Sequence, residues 1–400
     1  MFLAKCVRVF APRSLRFYRV LAIESSCDDS SVALLDCDDD DHSGGGFGQC
    51  RVLCHLKDTL DSASAGGIIP TQAHTHHQSA LPCLLEKLEL SRITNRPDLI
   101  AVTRGPGMLG SLSVGLNLAK GLSLALGVPL LGVNHMLGHL LVPRMTDPRI
   151  EFPFTSLLVS GGHTMLVHSE DIINHRIVCD TIDVAVGDSL DKCGRELGIT
   201  GIMIGKEMER WARNAAQGER HPFRLPNPLS GFNKGKLAFS FAPFVTAVKE
   251  QLKLTPLNGT DTQKGVFAGQ IQEAIFTHLI SKIRDVMRNP SGNIRTQGAR
   301  SFVCSGGVSS NVELRRRLEL ELKDHFDNFY YPEAALCTDN AVMIGWTGIE
   351  LMRHFKTTKN VQIYNDMSML PVRKWALDEL AAISEWKKEK YYVNNNDYMR

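Results

Sequence analysis

The sequence predicts an α/β protein built from two similar lobes. Three short apolar runs, Val20–Ile23, Leu157–Val159 and Phe302–Cys304, each lead into a cluster of small and polar residues. Stretches with helical apolar spacing lie between them, and two of the turns share a Ser-Gly-Gly core. Strand, glycine turn and helix repeated along a chain is the pattern of an α/β architecture.

Taken in order, residues 1–20 hold Lys5, Arg8, Arg13, Arg16 and Arg19 and no acidic residue. Cations interleaved with Phe2, Leu3, Val7, Phe10 and Phe17 have the character of an amphipathic mitochondrial presequence, assigned to residues 1–19. Val20–Ile23 reads as a buried strand that feeds the turn Glu24-Ser-Ser-Cys-Asp-Asp-Ser30. Asp36–Gln49 is an acid run followed by glycines and reads as a solvated hairpin insertion rather than a chelator. Leu81, Leu84, Leu85 and Leu88 recur at helical spacing, as do Leu112, Leu116, Ala119 and Leu122. The run Gly121–Val133 is broken by Gly127, Pro129 and Gly132 and is too short to span a bilayer, so no membrane partner is expected.

In the second half, Leu158-Val-Ser-Gly-Gly162 echoes Val303-Cys-Ser-Gly-Gly307, a hint of two related halves. Ile275, Leu279, Ile283 and Val286 predict one helix, and Asn311–Leu322 another that starts beside Ser309 and Ser310. Lys253–Lys264 and Asn289–Gly298 read as exposed connections. The expected division is a first lobe over 20–150, a second over 151–340, a helical segment 341–380 returning to the first, and a polar tail 381–400.

Composition narrows the class. Lys and Arg number 45 against 43 Asp and Glu, a net charge of +2, so any nucleic-acid partner must meet a local basic patch. The ten cysteines include no C-x-x-C pair, which favours free thiols in a reduced compartment.

Three constellations carry chemistry. Consecutive backbone N–H groups in a glycine turn surround an anionic oxygen, and a following helix adds its N-terminal dipole. Ser305, Gly306 and Gly307, leading toward the Asn311 helix, suit a phosphate. Three such turns after three buried strands match the layout of the actin, sugar kinase and heat-shock ATPase superfamily, where a ligand lies between two lobes. The second constellation is His135-Met-Leu-Gly-His139, two imidazoles four apart on one helix face, a spacing suited to Zn²⁺ or Fe²⁺. A zincin protease would carry Glu after the first His, where Met136 stands. Asp339 is the natural third ligand, with a plain helix N-cap as the competing reading. The third constellation is acidic: Glu24, Asp28 and Asp29 beside the first strand, and Asp183, Asp188 and Asp191 around Gly187. Such residues orient water or accept protons, or simply form turns.

Together these segments resemble the tRNA threonylcarbamoyladenosine transferase family, the bacterial TsaD-like enzymes, and within it the mitochondrial branch. The resemblance rests on Ile23-Glu-Ser-Ser-Cys-Asp-Asp29, Arg104-Gly-Pro-Gly-Met-Leu-Gly110 and Asn134-His-Met-Leu-Gly-His-Leu-Leu-Val-Pro143. Leu158-Val-Ser-Gly-Gly-His-Thr164, Ser189-Leu-Asp-Lys192, Phe239-Ser-Phe241, Ser305-Gly-Gly-Val-Ser-Ser-Asn311 and Cys337-Thr-Asp-Asn340 extend it in family order. It implies transfer of threonylcarbamoyl from threonylcarbamoyl-AMP, made by a separate synthase, to the adenosine 3′ of the anticodon in tRNAs that read codons beginning with A. It implies one divalent metal, Zn or Fe, on His135, His139 and Asp339, and an adenylate site at Leu158, Val159, Ser160, Gly161, Gly162, Asp191 and Asn311. Asp28 is the expected proton acceptor. A homodimer in the mitochondrial matrix, without obligatory accessory subunits, is also implied. Departures from the bacterial pattern are Asp29 for Glu, Gly201–Gly205 for a Pro-Gly-Gly-Pro loop, and Asn134 and Leu137 beside the histidines. An ATP-dependent kinase or ATPase of the same superfamily, or a non-catalytic nucleotide-binding module, is the alternative that shares the turns without needing the histidines.

Overall fold

A computed structural model describes residues 17–38, 50–61, 67–90, 95–201, 203–215, 223–230, 235–254, 261–288, 299–358 and 367–382. The first lobe is laid on five strands, β1 (Phe17–Glu24), β2 (Asp29–Asp38), β3 (Cys50–Thr59), β4 (Leu99–Gly105) and β5 (Leu130–Asn134). The second is laid on β6 (Phe154–Val159), β7 (Thr164–Ser169), β8 (His175–Asp180), β9 (Ser301–Ser305) and β10 (Asn328–Tyr330).

The two sheets share one topology. The first runs β3-β2-β1-β4-β5, and the second, read from its other edge, runs β8-β7-β6-β9-β10. β1 pairs antiparallel with β2 and parallel with β4, as β6 pairs antiparallel with β7 and parallel with β9. This is the two-lobed fold expected from the turns. The Ser-Gly-Gly echo, however, does not relate the lobes. It joins β6 and β9, which are neighbours in one sheet with Leu158 opposite Ser305. The topological counterpart of β6 is β1, whose turn carries Glu24 and Ser25 instead.

Helices cover the sheets. α1 (Pro70–Glu86), α2 (Leu109–Leu126) and α3 (His135–Thr146) belong to the first half. α4 (Val186–Glu196), α5 (Ile204–Asn214), α6 (Ala242–Leu254), α7 (Asp261–Arg288), α8 (Val312–Leu322) and α9 (Ala334–Cys337) belong to the second, and α10 (Ala341–Thr358) follows. By length and composition α2 alone among the described helices is apolar enough to cross a membrane, yet it buries Leu112, Leu116 and Ala119 inside the first lobe. α10 returns to the first sheet. A Cβ at Gly345 would stand 2.7 Å from Leu35 Cδ1, so the helix backbone lies directly on β1 and β2.

One core cluster joins the lobes. Val20, Ala22 and Leu35 of the first sheet pack through Leu137, Leu140, Met343 and Trp346 to Phe154, Leu158 and Val303 of the second. Inside it Arg144 of α3 faces Glu350 of α10, with Nε at 2.9 and 3.1 Å from the two carboxylate oxygens and the guanidinium 4.4 Å above the Phe152 ring. This charge pair and the apolar contacts around it hold α3 against α10, and α3 carries the histidines.

Several expectations need correction. The folded chain starts before residue 20: β1 begins at Phe17, the Arg19 N–H donates to Asp98 at 3.0 Å, and its guanidinium reaches Asp36 at 3.3 Å. Cys37 and Cys50, which no C-x-x-C spacing marked as a pair, stand opposite each other in the hairpin of β2 and β3, with Cα atoms 4.1 Å apart and sulfurs in contact. Lys253–Lys264 is a connection only in part, because α6 runs to Leu254 and α7 begins at Asp261. The Asp36–Gln49 insertion is indeed bounded by hairpin strands; residues 39–49 lie outside the described residues, as do 1–16, 289–298 and the tail 383–400.

His175, buried at the start of β8, sits with Nε2 3.1 Å from the Ile172 carbonyl and Nδ1 2.9 Å from the Ser169 hydroxyl. Burial pushes its pKa down to about 4 from an ordinary 6.5. The unfolded chain therefore takes up this proton first, and folding stability falls as pH drops from 6.5 toward 4. The loss reaches roughly 3 kcal/mol at the acid end. Urea midpoints measured between pH 7 and pH 4 should fall for the wild type and fall less for His175→Gln, since His163 and His278 are likewise pushed down to about 4.

Candidate active site

The carboxyl ends of β1, β4 and β5 meet at one point, because parallel strands deliver their C-terminal turns to the same edge. β5 ends in Asn134, whose side-chain oxygen accepts the Leu137 N–H at 3.0 Å and so caps α3. His135 is therefore the first residue of the helix, and His139 follows one turn later on the same face. Their rings stand 4.9 Å apart at 83°. Asp339 arrives from the loop before α10. Asn340, not Asp339, caps that helix by accepting the Met343 N–H at 2.9 Å, which leaves the Asp339 carboxylate to the histidines.

Asp339 Oδ1 lies 2.9 Å from His139 Nε2 and 3.5 Å from His135 Nε2, and the three donor atoms fall within 4.8 Å of one another. Ligand atoms of a tetrahedral ion with bonds near 2.05 Å are about 3.3 Å apart. The spacing and the donor set, two imidazole nitrogens and a carboxylate, fit a divalent metal. Burial works against charge on both partners, yet their attraction wins. Asp339 and Glu24 hold the His135 pKa well above its usual value, and the histidines hold Asp339 well below.

Around this centre stand residues of three kinds. Asp28, in the turn after β1, is partly buried, and burial together with the Asp339 charge raises its pKa. Asp29 is occupied: its carboxylate lies 2.6 Å from Lys57 Nζ and 2.5 Å from the Thr59 hydroxyl. The same Lys57 donates to the Asp339 carbonyl at 3.0 Å, tying β3 to the loop that brings the third donor. His163, from the Ser-Gly-Gly-His turn, is pushed down to about 4 by burial and by the two histidines, and so stands neutral beside the centre. The Cys27 thiol is pushed up by burial and nearby carboxylates, which removes it as a thiolate nucleophile.

The second lobe supplies the two Ser-Gly-Gly turns. Leu158 and Val159 are buried at the end of β6, and the Ser160 hydroxyl accepts the N–H groups of Gly162 at 3.2 Å and His163 at 3.0 Å. Gly161 and Gly162 are exposed. Gly306 adopts φ +96°, and a Cβ there would meet the Val159 carbonyl at 2.4 Å, so the two turns pack backbone to backbone. Gly306→Ala should cost roughly 1–3 kcal/mol through strain and clash, read as a lowered urea midpoint. The Ser305 hydroxyl is buried without a partner among the described residues, and Gly307 has open space in front of it.

Asp191 and Asn311 are placed differently from the turns. Asp191 accepts the Gly205 N–H at 2.9 Å and so steadies the start of α5, in the segment that departs from the bacterial loop. Asn311 caps α8 through the Leu314 N–H at 3.0 Å and donates to Gln272 at 3.0 Å. The helix-starting cap is Asn311 itself, with Ser309 and Ser310 in a preceding 3₁₀ turn. Asp183 ties the loop before α4 to the start of α6, accepting from the Ser240 hydroxyl and the Phe241 N–H, and Asp188 pairs with Lys192 at 2.7 Å.

Residues 52–346 match the family model described as TsaD, tRNA N6-adenosine threonylcarbamoyltransferase. The chain belongs to that family. A mitochondrial tRNA N6-adenosine threonylcarbamoyltransferase of Schizosaccharomyces pombe is 36% identical over 94% of this chain and 91% of its own length. The Brucella ovis tRNA N6-adenosine threonylcarbamoyltransferase is 35% identical over 91% and 96%. In fold, the chain resembles full-length HypF in its phosphate- and nucleotide-bound form, with a TM-score of 0.51 at 12% identity. That match covers 85% of this chain and 47% of HypF. Family membership makes the protein a threonylcarbamoyltransferase, and the kinase, protease and non-catalytic readings fall away.

Glu24 and His163, within two of the matching segments, and Lys57, outside them, belong to the same centre. Glu24 was visible as a carboxylate at a strand end, but its contact with a histidine 111 residues away was not. Lys57, on a largely exposed strand, carried no signal at all.

Proposed function

We propose that the protein transfers threonylcarbamoyl from threonylcarbamoyl-AMP to the exocyclic amine of the adenosine 3′ of the anticodon, in tRNAs that read codons beginning with A. The observation that supports this reading is the convergence of His135, His139 and Asp339 after the carboxyl end of the first sheet, with His163 of one Ser-Gly-Gly turn beside them. His135, His139 and Asp339 would hold a divalent ion, Zn²⁺ or Fe²⁺, which would supply Lewis-acid stabilisation of negative charge on donor oxygens.

The chain's own residues do the rest. Backbone N–H groups of Gly161, Gly306 and Gly307 receive the adenylate phosphate, with Leu158, Val159, Ser160, Gly162, Ser305, Asp191 and Asn311 shaping the donor site. The amine nitrogen of adenine is a weak nucleophile because its lone pair is delocalised, so the donor must be an activated anhydride held in its path. Nitrogen attacks the carbonyl carbon, the carbonyl–phosphate C–O bond breaks, and AMP leaves. Asp28, its pKa raised by burial, takes the amine proton.

Asp28→Asn should lower the transfer rate about 10²–10³-fold with metal content unchanged. A variant that transfers at the wild-type rate removes this role. Digestion of the tRNA product should place the modified nucleoside 3′ of the anticodon and nowhere else. We further propose a homodimer in the mitochondrial matrix that needs no accessory subunit; likeness to the S. pombe relative supports the mitochondrial location alone.

A further inference from the structure

The structure assigns to Glu24 the role of a positioning residue that fixes the ring tautomer of His135, so that Nε2 is the nitrogen offered to the metal. This rests on the reading of His135, His139 and Asp339 as a metal site.

Glu24 ends β1 and is fully buried. Its Oε2 lies 3.1 Å from His135 Nδ1 and accepts a hydrogen bond from the Thr103 hydroxyl, while Oε1 accepts the Ser26 N–H at 2.5 Å. A carboxylate with these partners accepts hydrogen bonds and donates none. Nδ1 of His135 must therefore keep a proton, so Nε2, which faces Asp339, is the nitrogen that can give up its own and offer a lone pair to an ion. The Ser26 hydroxyl, also 3.1 Å from Nδ1, cannot make this choice, since a hydroxyl donates or accepts equally well.

The two histidines are thus held unequally. His139 Nδ1 is buried without a partner among the described residues, so its ring is aligned by packing and by Asp339 alone. Charge adds a second effect. His135 starts α3, where the helix dipole repels a cation, and Glu24 and Asp339 set two negative charges against it. With a divalent ion in place, the centre is neutral overall.

The test uses the full-length protein stripped of metal and titrated with Zn²⁺ or Co²⁺ against a chelator of known affinity, beside apo-protein melting curves and the Co²⁺ absorption spectrum. Glu24→Gln keeps the shape but presents an amide able to donate. It should weaken metal binding about 10–100-fold and alter the Co²⁺ spectrum, with little change in apo melting. Glu24→Asp, acidic but shorter, should recover part of the affinity. Thr103→Val, which frees one oxygen of Glu24, should weaken binding in the same direction, and it decides the matter if Glu24→Gln does not fold. Unchanged affinity and spectrum in folded Glu24→Gln, or in Thr103→Val in its place, overturns the proposal. A wild-type protein that binds neither metal overturns the metal reading and this proposal with it.

Discussion

His139→Ala is expected to leave the purified protein without a tightly bound divalent metal and to lower threonylcarbamoyl transfer by about 10³-fold or more. Lewis-acid stabilisation is worth several kcal/mol, and each 1.36 kcal/mol is a factor of ten in rate. The loss should exceed that of most side-chain truncations because the donors are few. His139 Nε2 lies 2.9 Å from Asp339 Oδ1, and no fourth histidine, cysteine or carboxylate joins the group among the described residues. Metal analysis of the protein and single-turnover transfer of labelled threonine check the two parts separately. Metal bound at wild-type affinity in the variant would move the site elsewhere.

Arg144→Met is expected to destabilise the fold by roughly 3–5 kcal/mol, since it strands the Glu350 carboxylate in the core without its partner. Glu350 is almost wholly buried, and burial already raises its pKa despite the guanidinium. Thermal or urea unfolding of metal-free protein reads this effect. Arg144→Met combined with Glu350→Leu should recover much of the loss, because two apolar side chains of similar size replace the pair. The same variants bear on function. α3 carries His135 and His139, and its far end is held to α10 through this pair, so the single variant should also bind metal more weakly.

These two sites show what a sequence discloses and what it hides. β1, β6 and β9 were legible because each is a short apolar run closed by small residues. The histidine pair was legible because i and i+4 share a helix face whatever else surrounds them. β7 escaped because it buries His168 and Ser169 among its apolar residues, so no alternation marks it. Asp339 read equally well as a cap or a ligand. Its neighbour Asn340 takes the capping bond, and only the folded loop shows which of the two residues turns inward. Glu24 and Lys57 act on partners more than a hundred residues away, and contacts of that separation leave no local pattern. The Ser-Gly-Gly echo misled for a related reason. Adjacent parallel strands of one sheet end in the same kind of turn, which sequence alone does not distinguish from a duplicated lobe.

The most direct measurement is incorporation of labelled threonine into unmodified tRNA by the purified full-length protein with a threonylcarbamoyl-AMP synthase and no other component. Label should enter the tRNA, disappear after metal is removed by a chelator, and return when Zn²⁺ or Fe²⁺ is restored. Absence of label with metal-loaded protein, in an assay where the S. pombe relative succeeds, would contradict transfer by this chain acting alone.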